Sequence, residues 1–332
     1  MLWITYLAIL YSLGLLIWYA AYIIWGDKWG GLSLLNMFAL FLFIPLPIFS
    51  SLIIFDPHPA VIILLGLDWL VFIWQWGILF VPKCHAQTNN PTFKIFTYNV
   101  LGYNPGMADQ IKTIQQVDAD IVTLQELNIE LAGLIQQELI HQYPYQILDA
   151  DQTVYGIGTL SKFPLRRIGS VPECGWVGEP QWLEVDWQGT PIQLINFHMA
   201  PTNYFAFEHV QRTSRYRRDE ARWMVSKILP NKPTILVGDS NSAPLSDSYR
   251  ILAHAAQDAW RVAGWGFGHT FPGRSGPGSS RTVIFGVAIP KWLLRIDYIF
   301  LTSPLKAIQA RLAPFDGISD HRGVVAVVTR KN

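Results

Sequence analysis

Cysteine is nearly absent. Only Cys84 and Cys174 occur in 332 residues, with no CxxC pair and no dense spacing, which excludes a zinc ribbon and a disulfide-stapled scaffold. Charge is scarce too: Asp, Glu, Lys and Arg make up 15% of the chain and apolar residues 51%. That balance fits neither a disordered chain nor an ordinary soluble protein, and part of the sequence is built for lipid. An excess of one sign is also missing. A formal net charge of +1 is too mild for nucleic-acid binding through bulk electrostatics.

The shortage of charge is concentrated at one end. Residues 1–82 contain no Arg or Glu and only Asp27, Lys28, Asp56 and Asp68 as charged side chains. In their place stand three uncharged or nearly uncharged runs, 2–25, 32–55 and 60–81. At 1.5 Å per residue each reaches roughly 33 to 36 Å, enough to cross a hydrocarbon core of ~30 Å. Three transmembrane helices are expected, the second kinked by Pro45 and Pro47. A cleavable signal peptide fits the first run poorly, since it lacks a basic leader and is too long. Half of the 14 tryptophans fall in this third, at places that suit interfacial belts. Asp68 lies mid-span, where a charge is costly; it is either functional or bonded to a neighbouring span, with Asn36 as a candidate partner. An odd number of spans sets residues 83–332 opposite the N-terminus. Lys28 and Lys83 on that side lean cytoplasmic by the positive-inside rule.

After a polar linker, 83–92, residues 93–332 read as one mixed α/β domain. Six apolar runs predict strands: 93–98, 121–124, 191–195, 234–237, 295–301 and 323–328. Chemistry adjoins each of them. The first ends in Asn99, the second in Gln125-Glu126, the third in Asn196-Phe197-His198 and the fourth in Gly238-Asp239-Ser240-Asn241. Asp297 lies within the fifth, and Ser319-Asp320-His321 precedes the sixth. Taken singly, most of these are ordinary turn formers or caps. Together they bring acids, amides and imidazoles to strand ends, where a sheet aims side chains into one crevice.

These motifs, in this order, resemble the endonuclease/exonuclease/phosphatase superfamily of DNase I-like nucleases, sphingomyelinases and inositol-phosphate phosphatases. The resemblance covers about residues 93–329. It extends to 155–161, to the Arg218–Arg222 helix and to Gly268-His269-Thr270-Phe271-Pro272. It implies a four-layer α/β/β/α sandwich and a metal-dependent phosphoric ester hydrolase using Mg²⁺ or Mn²⁺, one ion or two. By the same resemblance Glu126, with Asn99 and Asp320, forms the metal site. Asp239 orients or deprotonates the attacking water, and Asn241 positions it. His321 is paired with Asp297, and His198 either protonates the leaving group or binds phosphate. The architecture also looks like a membrane-bound subgroup associated with teicoplanin resistance, which implies an extracytoplasmic catalytic domain, against the two-lysine hint.

Tethering to a bilayer favours a lipid-linked or membrane-proximal phosphate as substrate. A nuclease is the alternative, supported by Arg212, Arg215, Arg217, Arg218 and Arg222; the same arginines also fit a solvated helix face paired with Asp219 and Glu220. A non-catalytic membrane scaffold is the reading from another class, although no expected site residue is missing. Residues 283–294, with Phe285, Lys291 and Trp292, suit either a lip of the site against the headgroups or a plain buried strand.

Overall fold

The structure is a computed structural model that describes residues 2–55, 57–83, 88–103, 106–171, 176–202, 206–230, 232–274, 283–284 and 286–331. Cys84, Cys174 and Phe285 lie outside the described residues.

The apolar third opens with α1 (Leu2–Trp25), one unbroken helix. The second run, expected as one span kinked at Pro45 and Pro47, is broken earlier, around Phe38. It divides into α2 (Gly30–Met37), a 3-10 turn (Ala39–Phe43) and α3 (Pro45–Leu52), and the two arms meet at a bend of 70°. Its physical cause is polarity at one end. Ser33 and Asn36 are buried, but not in lipid: the Ser33 hydroxyl lies 2.6 Å from that of Ser214, while Asn36 donates to Asp27 and to the Gly26 carbonyl. The Ser33–Ser214 contact holds α2 on the hydrophilic domain while Asn36 pins it to the turn after α1, and the run must turn to re-enter apolar surroundings. Asn36 is therefore not the partner of Asp68, which is buried beside Ser12 and Tyr11 of α1. The third run forms α4 (Pro59–Trp76), prolonged by a 3-10 turn to Phe80. Two helices are long and apolar enough to cross a membrane, or up to three if the bent pair is one span.

The pairing α1 makes fixes the direction of each leg. Tyr19 meets Gln75 and Ser12 meets Asp68, so α1 and α4 run parallel. Tyr11 packs against Phe49 and Trp18 meets Phe43 edge-on, so the segment holding the two phenylalanines runs the opposite way. Both α1 and α4 thus end at the hydrophilic domain.

The hydrophilic domain begins with β1 (Thr92–Asn99), α5 (Met107–Val117), β2 (Ile121–Gln125), α6 (Ile129–Glu138), β3 (Tyr145–Asp149) and β4 (Ile157–Ser161). There follow β5 (Leu165–Arg167), β6 (Gln181–Trp187), β7 (Thr190–His198), α7 (Phe207–Ser226), β8 (Thr234–Asp239), α8 (Asp247–Ala255), β9 (Gln257–Asp258) and α9 (Ala259–Ala263). A hairpin of β10 (Val283–Ile284) and β11 (Val287–Ala288) precedes β12 (Asp297–Leu301), β13 (Leu305–Leu312) and β14 (Val324–Arg330). One six-stranded sheet has the order β13-β14-β1-β2-β4-β3, the other β5-β6-β7-β8-β12-β9.

Alternation along the strands builds the layers. Ile235, Val237, Ile299 and Leu301 face the other sheet, joining Ile95, Ile121, Leu183 and Leu194 in one core. Their neighbours Leu236, Tyr298 and Phe300 face outward onto Ala221, Met224 and Leu252 of α7 and α8. On the first sheet Phe96, Val122 and Leu124 do the same against Ile111, Ile114 and Ile135 of α5 and α6. The result is the expected four-layer α/β/β/α sandwich.

The head is bolted to this sandwich by a reciprocal pair. Asp27 accepts the amide of Asp247 at 2.8 Å, and Asp247 accepts the amide of Asp27 at 3.1 Å. Burial pushes the Asp27 carboxyl up to about 6, against the Asn36 hydrogen bond that favours its charge. Gly26 is required beside it: its φ is +55° and a Cβ would sit 2.2 Å from an Asp247 oxygen.

Candidate active site

The site forms where the ends of the two sheets meet. β1 pairs in parallel with β2, and β7 with β8, so their C-terminal ends point the same way within each sheet. Register then aligns the chemistry: Asn99 lies opposite Gln125, His198 opposite Asp239, and Asp239 opposite Asp297 on antiparallel β12. Only glycine fits at Gly238, where φ is +147° and a Cβ would lie 1.9 Å from the Phe197 carbonyl. Behind these residues a buried polar ladder locks the sheets together. Thr97 donates to Gln125, Gln125 to Asn196 and Asn196 to the Gly158 carbonyl. Thr97, Gln125 and Asn196 belong to the motifs, yet their inter-sheet role has no signature in sequence.

All eight expected site residues converge. The Asn99 amide is the hub, donating to Glu126 at 3.1 Å and to Asp239 at 3.0 Å. Asn99 is itself held by its own oxygen, which accepts the Leu101 amide, and by Ser319, which donates to its carbonyl. Glu126 also accepts the Gly102 amide, and it sits at φ +57°, as Asn241 sits at +47°. Non-glycine residues in this region carry strain that functional sites retain. His198 Nε2 stands 3.8 Å from Glu126 and 3.7 Å from Asp239, and neither ring nitrogen has a hydrogen-bond partner among the described residues.

Asp239 is the most constrained of the acids. One oxygen accepts the Asn241 amide at 2.8 Å; the other accepts Asn99 and lies 3.7 Å from His321 Nε2. Burial raises its pKa to about 6, with His321 pulling the other way and Asp297 adding to the rise. His321 holds Asp297 at 2.9 Å through Nδ1, and Nε2 faces Asp239 and Asp320 at 3.7 and 4.0 Å. Burial opposes its charge, but Asp297 and Asp239 outweigh burial and hold the imidazolium well above its ordinary pKa.

Glu126, Asp239, Asp297 and Asp320 bring four carboxylates to two imidazoles, an acid excess in a largely buried place. Hard oxygen donors in excess, with orphaned nitrogens on His198 and an orphaned oxygen on Asp297, fit a divalent cation. Ligand atoms of Asp239, Asp297 and His321 lie within 4.8 Å of one another. That trio is better read as a hydrogen-bonded relay, since His321 Nδ1 is already committed to Asp297.

Sequence reasoning missed what the apolar head contributes to the rim. Phe271 lies 5.0 Å from the His321 ring, centroid to centroid. It shares a buried cluster with Ala243, Leu294, Ile296 and, from the apolar head, Met37; Phe38 and Phe41 pack against that cluster. Within 283–294, Val283 and Val287 are exposed and not part of a buried strand, whereas Leu294 is buried. Trp292 packs on Phe315 at 4.9 Å with the Arg322 guanidinium over its face at 4.1 Å.

The arginine-rich segment is α7, and its cations are partly spoken for. Arg217 is buried and donates to the Ala200 carbonyl; Arg218 faces Asp247 and Arg222 pairs with Asp219. Glu220, expected to pair with arginine, accepts the Ala200 amide and lies in the field of the Arg217 guanidinium.

A sandwich that gathers acids, amides and imidazoles at one sheet end offers a base, proton donors and hard oxygen ligands, the parts of a hydrolytic site. The description "Endonuclease/Exonuclease/phosphatase family" matches residues 96–321, and the chain belongs to that family. Its fold is similar to that of truncated TDP2 from Caenorhabditis elegans, with TM-score 0.54, 18% identity, and 72% of this chain and 98% of that one covered. It is similar also to an endonuclease/exonuclease/phosphatase from Bacteroides vulgatus, with TM-score 0.53, 19% identity, and 73% and 100% covered. TDP2 of D. rerio, solved with a single-strand DNA product, gives TM-score 0.53, 16% identity, and 72% and 100% covered. None of the curated proteins matches the chain.

Proposed function

We propose that the protein is a membrane-anchored, divalent-metal-dependent phosphoesterase whose substrate is a lipid-linked phosphate. The observation that carries this reading is the shared rim. Met37 of the head shares a buried cluster with Phe271, Phe38 and Phe41 pack against that cluster, and the Phe271 ring lies 5.0 Å from the His321 ring. Beside this cluster Leu40, Trp76 and Leu79 of the head face Pro244, Phe267 and Leu293 of the domain across a narrow apolar cleft. A site so placed receives a phosphate whose apolar tail stays in the bilayer. In this reading three legs cross the membrane, α1, the bent middle segment and α4, with residues 83–332 on the face opposite the N-terminus. The subgroup resemblance supports an extracytoplasmic face for residues 83–332, which protease accessibility on intact cells checks.

A divalent cation held by Glu126, with Asn99 and Asp320 beside it, would neutralise phosphate charge at the mouth. Asp239 takes the proton of the attacking water as its oxygen bonds to phosphorus, and the Asn241 backbone amide holds that carboxylate in place. The imidazolium of His321 donates toward the charge that develops on phosphate. The bond to the leaving oxygen breaks as His198 protonates that oxygen or binds the phosphate.

Two measurements test the arrangement. His321→Ala and Asp297→Ala should each cost about 10²-fold in kcat/KM, and the double variant about the same, because the pair acts as a unit. A double loss equal to the product of the singles refutes the pairing. Phe38→Ser with Phe41→Ser should lower hydrolysis of a bilayer-embedded lipid phosphate about ten-fold, a loss of ~1.4 kcal/mol. A short-chain soluble analogue should be spared. Equal losses on both, or faster hydrolysis of DNA than of any lipid phosphate, overturn the lipid reading.

A further inference from the structure

Where α1 meets the hydrophilic domain, away from the rim just described, lies a second cleft of about 630 Å³. One wall is apolar. Ile23, Ile24 and Trp25 line it, at 57%, 62% and 38% exposed, and they continue the outward apolar face of α1. The facing wall is cationic, with Arg218 and Arg222 from α7, Arg250 from α8 and Lys28 at the turn after α1.

The acids that face these cations offset only part of their charge, two carboxylates against four cations. Asp247 is the carboxylate lining the cleft. It is divided among the Asp27 amide, Arg218 at 3.7 Å and Arg250 at 3.6 Å. Asp219 meets Arg222 at 3.1 Å from the exposed side of α7. Asp27 is turned inward onto Asn36 and the Asp247 amide. Among the described residues no carboxylate pairs with the Lys28 ammonium, and His254 adds a neutral or cationic ring to the same wall.

We infer that this cleft binds the headgroup phosphate of an anionic phospholipid from the leaflet beside the hydrophilic domain. Guanidinium groups hold phosphate oxygens through paired hydrogen bonds, and basic pockets at the ends of membrane helices take anionic headgroups. The apolar wall selects the source. A free phosphate has no use for Ile23, Ile24 and Trp25, whereas the acyl chains of a leaflet lipid lie along them. Nucleic acid requires cations spread over open surface, and here they are hemmed between α1 and the helices α7 and α8. The bound lipid ties α7 and α8 to the membrane surface and so sets the orientation in which the catalytic rim meets the bilayer. The inference rests on α1 lying in the bilayer and not on the catalytic roles assigned above.

The test uses the full chain in nanodiscs of phosphatidylcholine mixed with phosphatidylglycerol, with retained lipid read by native mass spectrometry. Wild type should retain phosphatidylglycerol over phosphatidylcholine. Lys28→Gln, Arg222→Gln and Arg250→Gln together should weaken that retention roughly 100-fold, at about five-fold for each cation. Lys306→Gln with Arg311→Gln on β13 should leave retention unchanged. Should the triple variant fail to fold, Arg222→Gln alone, at a side chain 62% exposed, should still give the five-fold loss. Hydrolysis of a soluble substrate by the variants should match wild type, which separates this outcome from a failure of the catalytic reading. Unchanged retention in the variants overturns the inference, as does displacement of the lipid by inorganic phosphate or by an oligonucleotide.

Discussion

Asp239→Asn should abolish hydrolysis by about 10³-fold or more while leaving the fold intact. The expectation follows from acceptor counting. Both Asp239 oxygens accept a donor, one from the Asn241 amide and one from the Asn99 side chain. An asparagine offers a single acceptor oxygen, so its NH₂ must confront one of those donors. The base is lost and the hub residue Asn99 is pushed off its bond, which loosens Glu126 as well. Stability should move the other way. A carboxyl raised from its ordinary 3.8 to about 6 binds its proton more tightly in the folded chain. It therefore costs stability as pH rises through that window, and the whole cost is in place above about pH 6. At pH 8 the variant should melt no lower than wild type, trading activity for stability. A variant that keeps more than a tenth of wild-type rate, or that loses activity only by unfolding, removes Asp239 from the chemistry.

The layers of the fold were legible because their signal is local. Strands β1, β2, β7, β8, β12 and β14 are short β-branched runs with turn residues at their ends, and each lies where its apolar run predicts it. Strands β3, β5, β6 and β13 escape notice because they are half-exposed, with charged residues such as Glu184, Arg166 and Lys306 interrupting the pattern. The site was legible for a different reason: its residues stand at strand ends, and strand ends converge. The hydrogen bonds that order them, with Asn99 shared between Glu126 and Asp239, join residues 140 apart in sequence, and no periodicity carries that information.

The apolar head misleads in an instructive way. Residues 32–55 satisfy every compositional test for one span, yet Ser33 finds a partner on the hydrophilic domain and Asn36 finds its partners at the turn after α1. Hydropathy sums over a window and cannot see that polar residues at one end have docked elsewhere. The consequence is functional, because the bend sets Met37, Phe38 and Phe41 against the rim of the site. A straight second helix would carry those side chains away from it.

Glu126→Gln, the second large effect, should lower metal-dependent hydrolysis by about 10² or more and should also show without any substrate. Glu126 receives the Asn99 amide on one oxygen and the Gly102 amide on the other. It is nonetheless less enclosed than Asp239, with 14% of its side chain exposed, so it can meet a cation at the mouth. Glutamine keeps the shape but removes the anionic charge that a hard divalent ion requires. Binding of Mg²⁺ or Mn²⁺ to the folded wild type at a hundred times its Kd should add ~2.7 kcal/mol, a rise of roughly 5 to 10 °C in Tm. The glutamine variant should lose that rise, and a chelator should erase it in wild type. Retention of both the thermal shift and the wild-type rate would show that the cation is held elsewhere in the cluster.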